Sequence, residues 1–365
     1  MRPNWLFYPA GCSGLALLLL LTACQQPAET PPVAPDMASL PYPNLSDYHF
    51  FQGALKDLRP NNRVLPYDLI TPLFTDYAHK ARFMWIPEGA QAGMTEEGYL
   101  DFPNQTILIK NFYYPADFRR PDAQHDMVET RLLVRNDGKW NAYTYVWNED
   151  DTDASYSPVG EVLPVAWKDL KGQARTVDYI VPNKNQCKSC HNIDNEFQPI
   201  GPKARNMNSE LTYPDGTRQN QLAYLQSVGY LQKGDYQEQF PPVADWDDPH
   251  SGDLNARALA YLDVNCAHCH NARGPAHTTG LYLTAYQQNP ERLGVHKPPV
   301  AAGKGSGNRH FGIVPGQPDA SILVYRMQSN DPGEMMPELG RATAHDEGVA
   351  LIKEWIAAMP AEKSN

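Results

Sequence analysis

Apolar and polar positions alternate with a period of two through Met127–Val134 and again through Trp140–Trp147, as half-buried strands do. Val128, Thr130, Leu132 and Val134 fall on one face of the first run, and Tyr143, Tyr145 and Trp147 on one face of the second. Between them, Asn136-Asp137-Gly138 is a tight-hairpin signal, because these residues accept the positive φ that such turns require. Ile107–Ile109 and Val177–Val181 predict further strands. Downstream the period changes. Leu254, Ala258, Tyr261 and Leu262 recur at helical spacing behind Ser251 or Asp253 as N-cap. Val349, Ile352, Ile356 and Met359 form a second stripe with Trp355 beside it, behind a Thr343–Asp346 capping box. A further helix is predicted over Thr217–Leu231. The expected fold class is α+β: a β-rich N-terminal domain followed by a mainly α-helical part.

The 365 residues suffice for two or three domains, and 33 prolines exclude a chain of mostly long helices. A net charge of −11 argues against nucleic acid as a partner. Residues 250–365 hold 10 basic and 11 acidic residues, so the excess acidity lies upstream, where it would steer a basic partner. The acidic run Glu149–Asp153 lacks the glycine-spaced pattern of a calcium loop and reads as a solvated turn.

At the N-terminus, Arg2 and the apolar run Leu15–Leu21 read as a signal peptide, being too short to span a membrane. Leu21-Thr22-Ala23-Cys24 resembles the lipobox of bacterial lipoproteins, which implies cleavage before Cys24 and a lipid on its sulfur. Gln25 in place of aspartate implies, by the same resemblance, the outer membrane rather than the inner. Residues 25–41, with five prolines and no aromatic, read as a solvated tether. The expected organisation is a signal peptide (1–23), a lipid-anchored tether (24–41), a β-rich region (42–182) and two downstream segments (183–249 and 250–365).

With Cys12 in the signal and Cys24 lipidated, the remaining cysteines form two copies of one pattern: Cys187-Lys-Ser-Cys190-His191 and Cys266-Ala-His-Cys269-His270. None is left for a structural disulfide, which is informative in an exported chain. Cys-x-x-Cys-His is the attachment signature of c-type haem. Two thiols three apart lie on one side of a helical turn and add to the two vinyl groups of one porphyrin, and the following histidine takes the iron. A redox dithiol lacks its βαβ context here, and a zinc site would leave both histidines unexplained. Two covalently attached haem c groups are therefore expected.

On these motifs the chain resembles bacterial di-haem c-type cytochrome lipoproteins in which a haem-free β-rich region precedes two haem-binding segments. Upstream, the stretch Leu73–Phe83 and Glu129-Thr130-Arg131 with Tyr145-Val146-Trp147 carry a weaker resemblance. Residues 251–360 resemble a class I cytochrome c in their helix–motif–loop–helix order, which implies a thioether opposite His270. The family pattern places that methionine before proline, hence Met336 over Met335. For the first haem, Met207 is the default distal ligand. His250, His49, His79 or His125 would give a bis-histidine site instead, and a five-coordinate iron is a third arrangement. His268, His277, His310 and His345 read as exposed or structural. The expected function is a periplasm-facing, membrane-tethered electron carrier that exchanges single electrons with a redox partner. The competing expectations are a di-haem peroxidase, with Glu196 or an upstream histidine as acid–base group, and the electron-accepting subunit of a periplasmic dehydrogenase.

Overall fold

The computed structural model describes residues 30–360. The expected signal peptide, Cys12 and Cys24 lie outside the described residues. Six strands form one antiparallel meander in which each pairs with its neighbour in sequence: β1 (Val64–Tyr67), β2 (His79–Trp85), β3 (Ile107–Pro115), β4 (His125–Asn136), β5 (Lys139–Trp147) and β6 (Ala154–Tyr156). A two-stranded hairpin follows, β7 (Glu161–Lys168) with β8 (Ala174–Val181). The Asn136 turn is tight, with φ of 50° at Asp137 and 75° at Gly138, as a two-residue hairpin demands.

One face of the sheet buries Phe83, Ile109, Leu132, Val134, Tyr145 and Trp147 under residues 33–58. This cover includes Val33, which is only 8% exposed, and Asn61 Nδ2 donates to Pro31 O at 2.7 Å. The last part of the expected solvated tether is thus docked on the sheet. Val128 also departs from expectation. Pairing passes from Phe112↔Glu129 to Tyr113↔Met127 and skips Val128. A bulge turns a strand's faces locally, and Val128 joins Phe112, Tyr114, Trp167 and Tyr179 rather than Leu132 and Val134.

The opposite face receives the downstream chain. Residues 183–249 fold onto the sheet, with Ala204, Met207, Leu222 and Leu225 in one apolar cluster with Met84, Leu108 and Trp140. The α-helices here are α1 (Lys184–Cys190), α2 (Ala204–Met207), α3 (Gln221–Ser227) and α4 (Tyr236–Gln239). The helix expected over Thr217–Leu231 is shorter at both ends. Arg218–Asn220 pairs as a strand with Glu210–Thr212. The Asn220 side chain then accepts from Leu222 N and Ala223 N as N-cap, and Gly229 at φ 75° ends the segment.

The mainly α-helical second half is overturned. Among the described residues the protein is β-rich with only 24% helix. Beyond residue 250 the α-helices are α5 (Leu254–Asn265), α6 (Pro290–Leu293), α7 (Ile322–Gln328) and α8 (Asp346–Ala358), joined by long irregular connections. The physical reason lies in residues 271–317 and 329–345, where proline and glycine recur too often for helical propagation. Where the periodicity was strong it persists. Asp253 caps α5 through Ala256 N. Val349, Ile352, Trp355 and Ile356 of α8 pack on Ala258, Tyr261 and Leu262 of α5. The Thr343 capping box does not form: Thr343 N and Oγ1 both donate to Asp76, and His345 takes the N-cap position.

Candidate cofactor site

Both Cys-x-x-Cys-His segments sit at helix C-termini. In α1, Asn183 caps Asn185 N and Gln186 N while Gln186 Oε1 accepts from Asn183 N at 2.9 Å. This fixes Cys187 and Cys190 one turn apart, and His191 N donates to Cys187 O at 3.0 Å. α5 runs directly into the second copy, where His270 N donates to Cys266 O at 2.9 Å. In each, one helical turn sets both thiols and the imidazole to one side.

Each motif's imidazole is held through Nδ1. His191 Nδ1 lies 2.9 Å from Gln198 O. A carbonyl only accepts, so the proton is on Nδ1 and the Nε2 lone pair is free. His270 Nδ1 lies 3.2 Å from Thr279 Oγ1. That hydroxyl gives its own hydrogen to Ala276 O at 2.7 Å, so it accepts from His270 and fixes the same tautomer. An N–H held by a neighbour in this way orients a metal-binding histidine. Burial, as the largest cause, lowers the pKa of His191 to about 3 and of His270 to about 4. Both rings are therefore neutral at pH 7, as ligation requires. Phe197 stacks on His191 at 5.2 Å and 8°.

The two copies, distant in sequence, meet. One ligating atom from each of Cys190, His268 and Cys269 lies within 4.8 Å of the other two. The Cys269 thiol, then His268, holds Cys190 toward the thiolate, the reactive form of cysteine. All four described cysteines are free. Arg273 braces the junction, its Nε 2.7 Å from Asp194 Oδ2.

Two clefts flank the junction. The first, with about 1950 Å³ of space partly open to solvent, is lined by Cys187, Cys190 and His191 and walled by the sheet. The second, about 2110 Å³, is lined by Cys266, Cys269, His270 and Met336. Met336 comes to the cleft of His270 and lines the first cleft as well, while its neighbour Met335 lines only the first. Arg341 holds this loop, donating to Met336 O at 3.0 Å and Ser329 O at 2.9 Å. Met207 does not come to the first cleft: it is fully buried among Leu222, Leu225 and Phe240. His49, His79, His125 and His250 line neither cleft, and Glu196 is exposed away from both.

Sequence reasoning missed two histidines. His268 joins the junction, and His345 lines the first cleft, stacked on Phe74 at 4.1 Å and bonded to Tyr261 Oη at 3.0 Å. A histidine inside the second motif was a signal for His268; none marks His345. The stretch Leu73–Phe83 has a structural role. Phe74 N donates to Asn265 Oδ1, next to Cys266, at 2.9 Å. Asp76 accepts from Ala342 N and Thr343 N, each at 2.8 Å. The β-rich region thereby holds the second segment at two places, just before Cys266 and just before α8. Compared with known protein families, curated proteins and solved structures, the chain matches none of them.

Proposed function

We propose that this chain is a di-haem c-type cytochrome that carries single electrons to or from a redox partner. The observation that supports it most is the meeting of two Cys-x-x-Cys-His turns whose histidines line separate clefts, His191 the first and His270 the second, each a neutral imidazole offering Nε2. These residues fit the group: Cys187 and Cys190 would hold one porphyrin, Cys266 and Cys269 the other, with His191 and His270 as proximal ligands. When bound, haem supplies one-electron chemistry, cycling between ferrous and ferric iron.

The chain's own part is to anchor, orient and tune. The Gln198 carbonyl and Thr279 hydroxyl keep each imidazole basic toward a metal. A thioether from Met336 would raise the second site's reduction potential. The closeness of Cys190 and Cys269 would bring two groups held by the two motifs near one another. The acidic upstream surface favours a basic protein partner through steering. Export, a lipid on Cys24 and a place facing the periplasm complete the proposal.

A second reading follows from the Cys190–His268–Cys269 cluster, a donor set suited to zinc. The two readings part on Met336→Ala. Under the haem reading this variant keeps both porphyrins and loses the weak red absorption band of iron–thioether bonding. An intact band removes Met336 as the ligand, and a colourless protein carrying one zinc per chain favours the second reading.

A further inference from the structure

On the cleft-facing side of the sheet, Tyr67, Arg82, Lys110, Arg131 and Thr144 stand opposite one another in register across β1 to β5. All five line the first cleft with Cys187, Cys190 and His191. Three are cations on adjacent strands, an arrangement that repels itself. The protein's own carboxylates answer only part of this charge. Glu129 serves Arg131, which gives it two N–H groups. Arg82 Nη1 donates to Asp68 Oδ1 at 2.8 Å, but the Asp68 side chain is 62% exposed. Arg82 Nη2 is buried with no hydrogen-bond partner among the described residues, on a side chain only 4% exposed. Lys110 has no carboxylate partner among the described residues, and its ammonium lies 4.8 Å from the Phe112 ring centre. Burial, followed by Arg82 and Arg131, lowers its pKa well below that of an ordinary lysine. The next row, Leu108, Leu133 and Ala142, is apolar and lines the same cleft. The wall therefore joins an apolar strip to a cationic one.

We propose that Arg82 and Lys110 form a carboxylate seat and, resting on the haem reading above, that it takes the propionates of the porphyrin held by Cys187 and Cys190. An apolar macrocycle with acid groups on one edge matches a wall with apolar and cationic rows side by side. An unpaired buried N–H is costly, and a carboxylate there would satisfy Arg82 Nη2. Carboxylate chemistry has a second source, a free dicarboxylate from solution, and the test separates the two.

The measurement is a spectroelectrochemical titration of the full haem-loaded protein, using the second haem as internal control. Arg82→Gln and Lys110→Met each remove a cation and leave a carboxylate uncompensated, which favours ferric iron. The expected result is a fall in the first haem's potential that changes its oxidised-to-reduced ratio by about tenfold, about 59 mV for a one-electron couple. Arg82→Lys retains the potential, and the second haem does not move. An unmoved first haem in both variants, with two haems attached, overturns the seat while leaving the haem reading intact. Loss of the low-spin spectrum in Lys110→Met alone makes Lys110 an iron ligand and overturns it too. A saturable shift of the wild-type potential by added succinate, abolished by Lys110→Met, assigns the seat to a free dicarboxylate and overturns the propionate assignment. Absence of haem overturns both.

Discussion

Glu129→Ala is expected to destabilise the protein by about 3–5 kcal/mol, the cost of stripping one partner from a buried ion pair. Glu129 is fully buried. It accepts two N–H groups from Arg131, and Tyr179 Oη donates to its Oε1 at 2.5 Å. Without it, Arg131 stands uncompensated beside Lys110 and Arg82, and the Tyr179 hydroxyl loses its acceptor. The melting temperature should fall by about 4–7 °C. The double variant Glu129→Ala/Arg131→Met removes both charges and should recover most of the loss, because a buried pair is often matched by apolar residues of similar volume. Calorimetry of the three proteins checks this. A single variant within about 1 kcal/mol of wild type would mean that the pair is solvated and does not hold the sheet face together.

The second large effect is expected at Asp76. Its carboxylate is almost wholly buried and takes hydrogen bonds from Ala342 N, Thr343 N and Thr343 Oγ1. Its backbone lies at φ 44°, a region that asparagine and aspartate tolerate better than alanine. Asp76→Ala therefore loses charge-assisted hydrogen bonds, at about 1.5–3 kcal/mol each, and adds about 1 kcal/mol of backbone strain. A total of about 3–4 kcal/mol follows once part of the loss is recovered by water. Asp76→Asn keeps the backbone preference and one acceptor oxygen, so it should cost about half as much. Because residues 342–343 follow the Met336 loop, Asp76→Ala should also weaken the red band assigned to Met336. Chemical denaturation and visible spectra of both variants are the check. An alanine variant as stable as the asparagine one would show that Asp76 does not lock the two regions together.

Much of this was legible in the sequence, and the rest fails for identifiable reasons. Period-two alternation with Asp137-Gly138 marks the β4–β5 hairpin because both local rules agree. The spacing within each Cys-x-x-Cys-His motif marks the two turns at the ends of α1 and α5, since that geometry is local. Contacts between distant segments leave no such trace. Nothing near Thr343 announces that its hydroxyl bonds to Asp76 instead of capping α8. Nor does a methionine in sequence show that it lies in an apolar cluster, as Met207 does. The row of Arg82, Lys110 and Arg131 depends on the register of three strands, which one-dimensional pattern does not give. The expectation of a mainly helical second half generalised from two well-patterned helices across connections that carry proline and glycine instead.

The direct test is the intact mass of the matured polypeptide from a host that attaches c-type haem, measured under denaturing conditions and paired with a haem stain. The wild-type chain should carry two porphyrins, falling to one in Cys187→Ser/Cys190→Ser or in Cys266→Ser/Cys269→Ser and to none when all four cysteines are replaced. A wild-type mass equal to that of the bare chain, with thiols titrating freely, would contradict the haem reading.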